Sequence, residues 1–276
     1  MTPARAFGKT SKSERREPVS EVLYEKKNRI AYITLNRPQK LNAIDRVMNR
    51  LLHEIWVDFK KDENVWVAIV SGQDGNFCAG FDLNVFREEI KQERYHWSKS
   101  AMFGNLRSTP NEHQVFKPII TAVRGTVNGM GTWLMLQGDI RIAAEETYVA
   151  LGEARLNFPV EFSALLTRFM PFSIANELLY TAKPMKARRL FEIGVINRIV
   201  AEEELMPTAE KVARDICQCG QQSLRVMKEL VMKGQYLDYA AAVSLTGELV
   251  VPVVNSDATR KAIGEFVDRK EVKKSG

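Results

Sequence analysis

Little in this chain would fix it covalently or through a metal. Among 276 residues there are three cysteines, Cys78, Cys217 and Cys219. That number does not make the disulfide framework of a small secreted domain, and it reads as free thiols in a reducing compartment. Cys217 and Cys219 are one residue apart, which is not zinc-ligand spacing, and the three histidines, His53, His96 and His113, are scattered. No metal site is expected. No apolar run approaches the roughly 18–20 residues that a membrane helix needs, so no membrane partner is expected. The first twenty residues lack the apolar stretch of a secretory signal. They contain Arg and Ser, as organellar transit segments do, but Glu14 and Glu17 favour a disordered tail and a cytoplasmic location.

A one-sided charge is missing from the body of the chain as well. Overall there are 40 Lys+Arg against 34 Asp+Glu, a net charge of +6. Residues 1–20 hold five of the basic and two of the acidic groups, and residues 269–276 hold four and one. That leaves 31 of each sign over 21–268. Nucleic-acid binding usually needs a basic face on the fold itself, so no nucleic-acid partner is expected. What is present is an ordinary globular composition, 45% apolar and 27% charged, enough to bury a sizeable core.

Structure is expected from about Val22. Residues 29–35 (RIAYITL), 65–70 (VWVAIV) and 118–123 (PIITAV) read as strands, the last two buried on both faces. Ile140–Ala143, Tyr148–Leu151 and Ile196–Val200 are shorter strands. Asp45 can cap a helix over 46–60, with Val47, Leu51, Ile55 and Phe59 recurring along it. Residues 84–117 suggest one or two surface helices with a mobile connection. An apolar helix is expected over 130–137, further helices over 161–182 and 186–193, and only helices from 208 onward. Strands alternating with helices, followed by helices alone, indicate an α/β core with a C-terminal helical extension.

Two glycine-bearing loops follow buried strands, where α/β folds bind ligands. They are GNFCAGFDL at 75–83 and RGTVNGMGTWL at 124–134. Neither matches a phosphate-binding or dinucleotide fingerprint. Glycine lets a backbone turn sharply and lets a ligand approach the amides, and two convergent amides can form an oxyanion hole. Tight turns without a ligand would account for the same glycines.

The segments NFCAGFDL and KPIITAVRGTVNGMGTWLMLQGDIRIAA, with LNRPQKLNAI earlier and EIGVINRIV later, resemble the crotonase superfamily, the enoyl-CoA hydratase/isomerase family. The likeness runs from about Ile30 to Arg269. It implies a crotonase-like (ClpP/crotonase) α/β fold, a spiral of repeated β-β-α units with a helical C-terminal region. The expected division is a tail at 1–20, a core domain at 21–206 and a helical oligomerisation region at 207–276. The resemblance also implies an acyl-CoA thioester substrate, no cofactor beyond the coenzyme A carried by that substrate, and a homo-oligomer, a trimer or dimer of trimers. The oxyanion-hole amides fall on Phe81 and Met130, where the family usually has glycine in place of Met130. Lys40, Asn42, Ala43, Ala79, Asp82 and Leu83 map to the CoA-binding region. Phe266 and Arg269 map to C-terminal positions that reach a neighbouring subunit's CoA.

Acid–base residues are where the chain departs from the family. Typical hydratases carry two glutamates; here the first position is Trp133, whose indole cannot exchange a proton usefully, and the second is Glu153. Glu161 is a further candidate carboxylate without a matching family position. Trp133, Phe158 and Phe162 either fill core or line the acyl pocket, where they would narrow it or favour a planar, aromatic acyl group. One glutamate suffices for a double-bond shift, so an isomerase- or lyase-like enzyme with Glu153 as the acid/base is expected. The alternatives are a hydratase despite the missing glutamate, or a non-catalytic acyl-CoA-binding relative.

Overall fold

The computed structural model describes residues 20–91 and 109–272. The expected tail at 1–20 lies outside them save for Ser20, as does half of the surface segment expected at 84–117, residues 92–108. Strand β1 (Val22–Lys27) and β2 (Ile30–Leu35) form an antiparallel hairpin. Its two-residue loop places both Asn28 (φ 52°) and Arg29 (φ 69°) in the left-handed region, the turn whose twist matches a hairpin. Strand β1 was not legible as a strand because VLYEKK carries three charges on a sheet edge, where no apolar alternation is needed.

Helix α1 (Arg46–Lys61) starts where expected, with the Asp45 carboxylate accepting from the Val47 and Met48 amides. Its buried face differs from the expected stripe. Met48, Leu52, Ile55, Trp56 and Phe59 face the core, while Val47 is exposed. A strict four-residue repeat precesses around a helix of 3.6 residues per turn, so only its later members reach the core. The buried Lys117 closes the end of this helix, donating to the carbonyls of Phe59, Asp62 and Val65.

Strand β3 (Val67–Gly72), α2 (Leu83–Lys91), β4 (Ile119–Val123), β5 (Thr126–Asn128), α3 (Met130–Leu136), β6 (Ile140–Ala144) and β7 (Tyr148–Ala150) follow. The helix expected over 161–182 is two pieces, a 3-10 segment at Ser163–Arg168 and α4 (Phe172–Thr181). Pro171 separates them, since the residue before a proline is disfavoured in the helical region. Then come β8 (Met185–Lys186), α5 (Ala187–Glu192), β9 (Arg198–Val200), α6 (Leu205–Ile216), α7 (Gln221–Gly234), α8 (Tyr239–Val254) and α9 (Asp257–Val272).

The main sheet runs β1-β2-β3-β4-β6-β9, parallel from β2 onward. A small second sheet, β5-β7-β8, stands beside it. One face of the main sheet meets a large core that includes α1 and α3. On the other face Ile30, Val67, Ile69, Ile120 and Ile142 meet Leu205, Ala209 and Val212 of α6. Coverage on both faces explains why β3 and β4 are apolar apart from Ser71 and Thr121. Helix α6 spans the expected boundary at 206/207 and packs on the core sheet. By contrast, no residue of α7 or α8 is buried within this chain. Among the described residues no helix is long and apolar enough to cross a membrane.

Candidate active site

Three segments far apart in sequence are stitched side by side. The Ile44 amide donates to Gly80 O and the Asp82 amide to Ile44 O, while the Ala79 amide donates to Leu41 O. On the other side the Cys78 amide donates to Thr126 O and the Asn128 amide to Cys78 O. The 75–83 loop is therefore held between the LNAI segment and β5 through two isolated bridges, Phe81 to Ile44 and Cys78 to Val127. Strand β5 pairs in turn with β7, Asn128 against Ala150, and β7 delivers Gly152 and Glu153. The Asn128 side chain strengthens this join, accepting from the Gly152 amide at 3.2 Å and approaching Ala79 O at 3.5 Å.

Two glycines allow the turns to meet. Gly80 has φ +99°, and a Cβ there would lie 3.0 Å from Asn128 O and 3.5 Å from the Met130 amide nitrogen. Gly129 has φ +52°, and a Cβ there would lie 2.6 Å from Glu153 Oε1. The left-handed conformation falls on Gly129 and not on Met130, which is the first residue of α3. A side chain is thus accommodated at Met130, where it is buried in the core, and its amide is one that a helix leaves without an internal acceptor. Gly129→Ala is expected to push the Glu153 carboxylate from its seat and lower turnover at least tenfold. Stopped-flow turnover, with circular dichroism to show a folded chain, checks this.

A cavity of about 370 Å³ opens at this junction. Of the residues singled out in the sequence, Lys40, Ala43, Ala79, Phe81, Asp82, Leu83, Met130 and Glu153 line it, and so do Phe158, Glu161 and Phe162. Asn42 is fully buried beneath the wall. It accepts from the Arg37 amide and donates to Gln73 O and Asn76 O, holding the loop bearing Lys40 and Ala43. Trp133 is absent from the cavity wall, standing behind it against Phe162. Phe266 is exposed on α9, away from the cavity, and the side chain of Arg269 lies outside the described residues.

The Glu153 carboxyl is the chemically distinctive group here. Its Oε2 is buried with no hydrogen-bond partner among the described residues. Burial pushes its pKa up, offset in part by its own backbone amide. Asp82, also on the wall, behaves oppositely. Burial would raise its carboxyl, but the Asn84 amide and the Arg37 guanidinium hold it below the usual range. Two contributors were not read from the sequence. Asn128 was hidden as a polar residue in a glycine loop, and Arg37 as a charged residue in a turn. Arg37 is buried, donates to Ala43 O, and meets Asp82 and Asp45 at 3.2 Å and Glu21 at 3.4 Å. Among the described residues no cluster of three or more metal-ligating side chains occurs.

A largely parallel main sheet, a small second sheet beside it and a helical C-terminal region make up the crotonase fold. An enoyl-CoA hydratase structure from Mycobacterium tuberculosis superimposes with a TM-score of 0.81 at 26% identity, covering 91% of this chain and 96% of that one. A probable enoyl-CoA hydratase/isomerase structure from Mycobacterium abscessus gives 0.80 at 27%, covering 91% and 97%. The model of the enoyl-CoA hydratase/isomerase family matches residues 25–274, and the chain belongs to that family. Among its relatives, the short-chain-enoyl-CoA hydratase of Clostridium acetobutylicum is 25% identical over 92% of this chain and 97% of its own length. The carnitinyl-CoA dehydratase of Salmonella enteritidis is 32% identical over 77% and 80%.

Proposed function

We propose that the protein acts on an acyl-CoA thioester with Glu153 as its single acid/base, in an isomerase- or lyase-like reaction. The observation that carries this reading is the unpartnered Glu153 carboxyl, seated over Gly129 on the cavity wall with its pKa raised. Phe81 and Met130 line the same cavity, and their amides would hold the thioester oxygen as charge develops on it. Glu153 would then take a proton from one carbon of the acyl group and return it to another. A carboxyl raised by burial does this better near neutral pH than an ordinary one, because its conjugate base is stronger. Trp133 lies in a ring stack and supplies no second carboxylate to share water activation. Lys40 and the loop around Asp82 would meet the CoA moiety, which arrives as part of the substrate. The unburied helices α7 and α8 support an oligomeric assembly, a trimer or dimer of trimers, through the C-terminal region.

The test pairs two substrates. A 3-enoyl-CoA in deuterated water is expected to give the conjugated 2-enoyl isomer with the migrating proton largely retained, because one carboxyl carries it from carbon to carbon. Crotonyl-CoA is expected to be hydrated only weakly. Hydration at a typical enzyme rate, about 10 per second, would defeat the single-glutamate reading.

A further inference from the structure

The nature of the acyl group follows from how one wall of the cavity is built. Phe162 lines the cavity, and its ring lies flat on the Trp133 indole, centroids 4.8 Å apart and planes 16° from parallel. Trp133 is 8% exposed and meets Phe169 edge-on at 5.8 Å and 89°. Phe169 is backed by the Arg141 guanidinium at 5.5 Å, which is itself tied to Val195 O and Leu136 O. Helix α3, which carries Trp133, is buried along its whole length. Trp133 is therefore braced from behind, and Phe162, partly buried against the core, rests its ring on that fixed indole face. Phe81, Phe158 and Val160 add apolar wall, in a cavity of about 370 Å³ near the lower end of small-molecule pockets.

A flexible chain seated on such a wall gains its apolar burial but loses rotamer freedom. A flat ring gains the same burial, loses little freedom, and can add offset stacking with the Phe162 ring. We propose that the acyl group is flat and ring-bearing, an aryl or cyclic acyl class, and that Phe162 selects it. This rests on the acyl-CoA reading above.

The test uses 3-phenylpropanoyl-CoA and nonanoyl-CoA, saturated esters of equal acyl carbon number that cannot undergo the double-bond shift. Titration calorimetry on the full chain is expected to show the phenyl ester binding about tenfold tighter, equivalent to about 1.4 kcal/mol. Phe162→Leu should abolish that ratio, and Phe162→Tyr, which keeps the ring, should retain it. Equal or tighter binding of nonanoyl-CoA by the unmodified protein, or a ratio unchanged in Phe162→Leu, would overturn the ring preference while leaving the acyl-CoA reading intact. Binding of neither ester would defeat the acyl-CoA reading, and the ring preference with it. If Phe162→Leu fails to fold, the unmodified protein and Phe162→Tyr still decide: a tenfold ratio kept by both supports the proposal, and its absence overturns it.

Discussion

Glu153→Gln is expected to lower kcat about a hundred- to ten-thousand-fold, the usual worth of a positioned acid–base group, while a saturated acyl-CoA ester binds as before. Glutamine keeps the shape of the side chain but cannot carry a proton between two carbons. The same substitution is expected to stabilise the fold at neutral pH. Burial raises the folded-state pKa of Glu153 above its unfolded value. Above the unfolded pKa, the folded state holds the proton more tightly than the unfolded chain, so stability falls as pH rises through that window. At pH 7 the ionised carboxylate is a net cost, with Oε2 buried and unpartnered among the described residues. The amide removes that charge, so Tm should rise at pH 7 and the gain should vanish below about pH 4. Thermal melts across pH and single-turnover assays read both effects. Turnover retained in Glu153→Gln would move the chemistry elsewhere, with Glu161 the first candidate on the cavity wall.

Arg37→Ala is expected to cost about 3–5 kcal/mol, the range for breaking a buried ion pair by removing one partner. Its guanidinium sits among the carboxylates of Asp82, Asp45 and Glu21 and also donates to Ala43 O. Glu21 already shows the strain of that crowd, since burial and the neighbouring Asp45 push its pKa up. Without Arg37, three partly buried carboxyls face one another and the side-chain link between Ala43 and the Asp82 turn is lost, leaving the main-chain bonds to hold it. The lowered pKa of Asp82 gives the native protein stability that is present above the ordinary carboxylate pKa and lost as pH falls through the lowered one. Arg37→Ala should forfeit that contribution, and its deficit should shrink as acid protonates the carboxyls. Arg37→Lys keeps the charge but not the planar fork, and should recover only part of the loss. Urea unfolding at pH 7 and at pH 4 measures these differences, and a cost below 1 kcal/mol at pH 7 would show the cluster to be solvated and dispensable.

Much of the main sheet could be read from the chain because its physical cause is local. Strands β3 and β4 are covered on both faces, so their sequences are predominantly apolar. The Asp45 cap is a property of neighbouring residues. Strand β5 could not be read in this way. Thr126–Asn128 is a strand only because Cys78 and Ala150 bond it on either side, and from sequence it passes for part of a glycine loop. Strand β8 has two residues and exists through its pairing with β7.

The same division runs through the site. The residue types at the site, a glutamate at 153 and a tryptophan at 133, are decided by sequence alone. The glycines at 80 and 129 are likewise given by sequence, while the positive φ and the close approach of Asn128 and Glu153 that require them come from the fold. Tertiary structure alone decided that these residues share one cavity, because main-chain bonds across tens of residues bring the three segments together. It also decided that Trp133 stands behind the wall against Phe162, since which face of a fully buried helix meets a cavity is set by packing and not by periodicity. The raised pKa of Glu153 belongs to the fold for the same reason. Desolvation is a property of what surrounds a carboxyl, and no residue type carries its surroundings with it.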